Sequence, residues 1–212
     1  MILQLGLLLG LAFSAAAVQA GTPMRYTLDP AQSEFVVQVF KAGLGSAFAH
    51  DHVVRATAYA GQLQIDVTDP TTTVITVEVQ AAALKVDEPA VRQKYGLATA
   101  LNERERQETQ AAMESQTQLD IVHYPTIRFR STRIEPQAEG QYLVTGELTL
   151  RGVTQSVTFL ARAELRDGAV HSWGAFSFRQ STFGYQPYSA FLGAVRNKDE
   201  VGLHFDIVAQ PH

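Results

Sequence analysis

The side chains with the most chemical potential in this chain sit together in one tripeptide, His50-Asp51-His52, within the stretch FAHDHVVRA. The chain has six histidines and no cysteine, so any chemistry must draw on few groups. In an extended segment, residues two apart share a face. His50 and His52 would then offer two imidazoles to one metal ion, with Asp51 turned away. A stable transition-metal site asks for a third or fourth ligand. Among the other histidines, His123 precedes Tyr124-Pro125, and His204 alternates opposite Val201, Leu203, Phe205 and Ile207, on an outer face. Neither these nor His171 show ligand spacing. A second chemistry would have Asp51 orient a histidine as general base. The sequence has no Gly-x-Ser-x-Gly elbow and no cysteine to serve as nucleophile, so it does not read as an enzyme. In the third reading, Gly43, Gly45 and Ala49 mark a tight turn or short helical turn at an element's end. There Asp51 bonds backbone amides, and the histidines form the polar end of an apolar pocket.

The elements that must position this tripeptide are strands. Period-two alternation, the mark of a half-buried strand, runs through most of the chain. In QYLVTGELTLR, Tyr142, Val144, Leu148 and Leu150 share one face. After Gly152, the residues Val153, Val157, Phe159, Ala161, Ala163 and Leu165 share another. Asp167-Gly168 is a hairpin turn signal, and a third strand follows from His171 to Arg179. The same alternation carries Phe35, Val37 and Val39; Tyr59, Leu63, Ile65 and Val67; Ile75, Val77 and Val79; Ile127 and Phe129; and Val201 to Ile207. Eight to ten antiparallel strands joined by short turns predict an all-β barrel or sandwich. Residues 86–120 break the pattern. They are charged and helix-prone, with Asn102 and Glu105 spaced as a helix start and with Ala112, Met113 and Leu119 able to rest on the sheet.

In a barrel, the inward faces supply Phe35, Val37, Leu63, Ile75, Ile127, Phe129, Val144, Leu148, Val157, Phe159 and Phe205. Alternation shows a buried face and not a void, so a solid core and an apolar tube both fit. The loop at residues 181–193 carries four aromatics, suited to capping one barrel end, lining a ligand mouth or touching a membrane.

At the scale of the chain, residues 1–20 hold no charged side chain and pass from Leu, Ile and Phe to small residues, with Val18-Gln19-Ala20 ahead of Gly21. That is the pattern of a cleaved secretory leader, and it leaves residues 21–212 as a single domain. The net charge of −4 gives no basic face for nucleic acid. Without cysteines, stability must come from a packed core.

Several motifs resemble the YceI-like family of exported lipocalin-fold proteins. They are Tyr26-Thr-Leu-Asp29 with Ser33 and Phe35; Tyr124-Pro125-x-Ile127-x-Phe129-x-Ser131; Gly146-x-Leu148-Thr149-Leu150-x-Gly152-Val153-Thr154; and Phe183-Gly184. The tripeptide and the insert near residues 88–101 resemble a subgroup of it. The resemblance implies an extended lipocalin-like, antiparallel up-and-down eight-stranded β-barrel with a helical insertion. It implies a periplasmic binding protein whose interior holds a polyisoprenoid or isoprenoid quinone as ligand, with no cofactor. His50 and His52 would bond the head group. On this reading the partner is an apolar small molecule. Transient membrane contact and a homodimer are both compatible with it, and metal binding at His50 and His52, or an empty stress-related scaffold, are the competing readings.

Overall fold

The computed structural model describes residues 23–66, 68–97 and 101–212. The leader expected over residues 1–20, and Val67, lie outside them. The strands are β1 (Met24–Leu28), β2 (Glu34–Ala42), β3 (His52–Ala56), β4 (Tyr59–Ile65), β5 (Val74–Gln80), β6 (Leu84–Val86), β7 (Thr126–Pro136), β8 (Gln141–Leu150), β9 (Val153–Arg166), β10 (Ala169–Arg179), the two-residue β11 (Ser189–Ala190) and β12 (Val195–Pro211). Two α-helices, α1 (Pro89–Lys94) and α2 (Glu103–Glu114), fall in the charged insert.

The pairing explains why eleven of these twelve segments make an eight-stranded barrel, with β11 paired only to β12 beside it. β1 pairs with β4 while β2 pairs with β3, so β1 and β2 are two halves of one bent strand. β3 and β4 form a second bent strand, and β5 and β6 a third. From β7 to β10 each strand pairs with its successor; β12 follows β10 and returns to both β1 and β2, closing the ring. Among the described residues every ladder pair runs antiparallel, as short connections require. The two-residue loops Arg151-Gly152 and Asp167-Gly168 have positive φ at both positions, the type I′ geometry that matches strand twist.

The bends have local chemical causes. After β1, Asp29 turns the chain by accepting from the Ala31 amide at 2.9 Å. Ser33 then stands in for a missing rung of the ladder: its Oγ accepts from the Val208 amide at 2.9 Å and donates to the Val208 carbonyl. Gly146 answers a packing need, because a Cβ there would stand 2.5 Å from the Phe129 ring. The glycine lets that ring lie flat across β8.

The ends of the barrel differ. Tyr26, Leu63, Val170 and Ala209 pack into a tight buried plug at one end. At the other, β6 does not reach β7, and α2 lies over the gap. Asn102 starts α2 with a capping box, its side chain accepting from the Glu105 amide and Glu105 from its own. Gln110 then bonds the free edge of β6 as a strand would. Its Oε1 accepts from the Val86 amide at 3.0 Å and its Nε2 donates to the Leu84 carbonyl at 2.8 Å. Met113 and Leu119 turn inward onto the core.

Candidate functional site

Between plug and helix the barrel is hollow. A cavity of about 490 Å³ runs through it, within the range of roughly 300–1,000 Å³ usual for small-molecule sites. Its walls are aliphatic and aromatic. Phe159 sits at the centre, stacked on Phe176 with centroids 4.5 Å apart and flanked by Phe129 at 5.8 Å and Phe205 at 5.6 Å. Most polar lining residues gather at the α2 end: Glu105, Glu108, Thr109, Gln118 and Arg128 beside the helix, and His50, His52, Gln180, Tyr188 and Asn197 across from it.

The residues assigned inward by alternation divide as follows. Phe35, Val37, Ile75, Ile127, Phe129, Val144, Leu148, Phe159 and Phe205 line this cavity, as do His50 and His52. Leu63 does not. It faces inward but belongs to the plug, on the plug side of its direct ladder partner Ile75, which packs against that plug. Val157 also lies off the cavity wall, packed beside Leu148, Leu150, Phe183 and Tyr185 at the barrel's end. Alternation gives the face of a residue and not its height along the barrel axis, which is what separates these two. Conversely, Phe176, Phe178, Val201, Leu203 and the α2 residues Ala112 and Met113 line the cavity. The strand residues were legible from the same alternation. The α2 contribution depends on how the helix docks, which periodicity does not reveal.

The tripeptide is built around a residue outside it. Asp87 follows β6 with a left-handed backbone, φ 54°, a conformation that Asp tolerates better than most residues. Its carboxylate is fully buried. Oδ1 accepts from the Val53 amide at 3.0 Å and from Arg92 of α1 at 2.7 Å, and Oδ2 faces His52 Nδ1 at 2.6 Å. Burial pushes the Asp87 carboxyl up, but the His52 bond and charge, the Val53 amide and Arg92 together outweigh it and hold the group below its ordinary value. An ionised Asp87 requires the proton on His52 Nδ1, which leaves the other ring edge to the cavity. Asp51 is structural: its Oδ1 accepts from the Lys41 amide at 2.8 Å and its carbonyl from Arg92 at 2.9 Å.

Metal binding would have to use His52 Nε2 with His50. Among the described residues no three His, Asp or Glu side chains are grouped as a metal set. His204 is on the outer face, under α1, bonded to Gln38 at 2.8 Å and edge-on to Tyr95. Burial, reinforced by Glu34, pushes the Tyr95 hydroxyl up to about 12. His123 bonds Asp120 three residues back.

A closed antiparallel barrel with an apolar interior, sealed at one end and helix-covered at the other, is the class of protein that these features define. The chain belongs to the YceI-like family, whose domain matches residues 26–209. A UPF0312 protein of Pseudomonas savastanoi is 27% identical over 171 residues, covering 80% of this chain and 77% of that one. Among solved structures, BcnA of Burkholderia cenocepacia superposes with a TM-score of 0.66 at 17% identity, over 85% of this chain and 98% of that one. A polyisoprenoid binding domain from Saccharophagus degradans superposes with a TM-score of 0.59 at 10% identity, over 89% of this chain and 99% of that one.

Proposed function

We propose that this protein is an exported, periplasmic binding protein that holds one long apolar chain, a polyisoprenoid or the tail of an isoprenoid quinone, inside the barrel. The observation that carries the reading is the hollow itself: a phenylalanine-lined cavity with most of its polar groups at one end. Such a shape suits a chain with a single polar head. Each CH₂ taken from water contributes about 0.8 kcal/mol, so the tail supplies affinity and the head sets direction. His52, oriented by Asp87, and His50 beside it are the groups that would bond the head. Binding and not catalysis is the role this lining supports, since a few fixed polar groups in an apolar pocket orient a ligand. The polyisoprenoid binding domain with the same fold adds to the case for a prenyl chain, and residues 1–20 add to the case for export.

The test is a chain-length series. Prenyl alcohols of increasing length are titrated into the protein by calorimetry. Affinity should climb steeply with each isoprene unit and level off once the cavity is full. A flat series would contradict the proposal. In His50→Ala/His52→Ala, affinity should fall by a similar factor at every length, because the head group is common to the series.

A further inference from the structure

The barrel carries an exposed apolar tip at the same end as His50. Two loops form it, residues 43–49 between β2 and β3 and residues 188–194 around β11. They are tied together by the Gly45 amide donating to the Ala194 carbonyl at 2.8 Å. A Cβ at Gly43 would collide with that same carbonyl, at 2.4 Å, so the close approach of the loops is specified by sequence. At the crest, Leu44, Phe191 and Leu192 are 103%, 82% and 109% exposed. Three such side chains side by side in solvent are unfavourable in water. The backbone adds to the cost: Phe191 and Leu192 both hold left-handed φ, at 50° and 56°, which is an outlier for bulky residues. Strain that the rest of the fold does not explain points to a role for the outward pose.

The surroundings name the partner. Across residues 35–50 and 179–198 there is no Asp or Glu, while Lys41, Arg179, Arg196 and Lys198 fall within them, in a chain of net charge −4. The three acids that border these stretches each have a partner: Glu34 pairs with Lys94, Asp51 accepts from the Lys41 amide, and Asp199 from the Ser181 amide. Lys41 donates to the Ala49 carbonyl at 3.0 Å, and Lys198 lies over the Phe40 ring, so both cations flank the tip. Immediately behind it, Ala49, His50, Tyr188, Val195 and Asn197 line the cavity. An apolar crest flanked by the cations Lys41 and Lys198 is the recognition chemistry of an anionic bilayer surface.

We infer that this tip inserts into the interface of an anionic phospholipid membrane and sets the open end of the cavity against it, so that a prenyl chain passes between bilayer and barrel without crossing water. The inference rests on the carrier reading for what is transferred, but the docking is measured separately.

Residues 21–212, which contain the whole barrel, are sedimented with vesicles of phosphatidylcholine alone and of phosphatidylcholine with phosphatidylglycerol. The protein should bind the anionic vesicles, release them at high salt and bind the neutral ones weakly. Phe191→Asp/Leu192→Asp should lose roughly tenfold or more in vesicle affinity with an unchanged melting temperature. It should still take up a prenyl alcohol offered in detergent micelles, because neither residue lines the cavity. Loss of micelle uptake in the unmodified protein would count against the carrier reading alone. Absence of vesicle binding in the unmodified protein, undiminished binding in the variant, or a dimer that the variant splits into monomers would each overturn the membrane tip.

Discussion

Asp87 is the residue on which the candidate head-group site depends. It joins three elements through one carboxylate: the β3 amide of Val53, the His52 ring and Arg92 of α1. Removing one partner of a buried pair leaves the other uncompensated and typically costs about 3–5 kcal/mol. Asp87→Asn should therefore lower unfolding stability by about 3 kcal/mol in urea titrations, far more than an exposed Asp→Asn change. The pH dependence has a definite sign. The folded carboxyl lies below its ordinary 3.8, so its stabilisation is fully present above about pH 4 and disappears as pH falls through the lowered folded value. Unfolding midpoints measured between pH 6 and 2.5 should show a drop in that acid window that Asp87→Asn lacks; parallel curves would contradict the assignment. The tripeptide was conspicuous in the sequence, but Asp87 was not. It lies 35 residues from His52, and nothing in local spacing reports that β6 pairs with β3. Asp51, the acid that sequence places between the two histidines, proves to hold a turn.

At the scale of elements, the strands were readable because each has one buried face, and the hairpin loops because Asp167-Gly168 and Gly152 advertise their turn type. The capping box at Asn102 and Glu105 was readable for the same reason: its chemistry is local. The bends were not, since Asp29, Ser33 and Val208 meet only in the closed barrel. Nor was the way α2 seals the edge of β6. Gln110 there fulfils a strand's hydrogen bonds with a side chain. Gln110→Ala should cost about 1–2 kcal/mol, the usual effect of leaving such groups unpaired. It should also speed amide exchange at Val86 selectively, as seen by NMR, with little change across β8 and β9. Uniform acceleration throughout the barrel would mean that α2 is part of the global core and not a local cover.

For the whole molecule the decisive property is the hollow. Sequence alternation left a filled core and a tube equally open, because volume along the axis depends on which side chains stand at the same height. The structure separates a solid plug around Leu63 from the cavity above it. Val144→Phe distinguishes the two arrangements in solution. In a filled core an added ring costs about 1–3 kcal/mol through overpacking. In this barrel it enters the void, so thermal stability should hold while prenyl binding drops. Lost stability with unchanged binding would place the ligand elsewhere. The most direct measurement is mass spectrometry of an organic extract of natively purified residues 21–212, with metal analysis of the same sample. A prenyl lipid near one equivalent is the predicted result. An extract without lipid, from protein carrying one equivalent of a transition metal, would contradict the carrier account and move His50 and His52 from the mouth of a lipid pocket to the centre of a metal site.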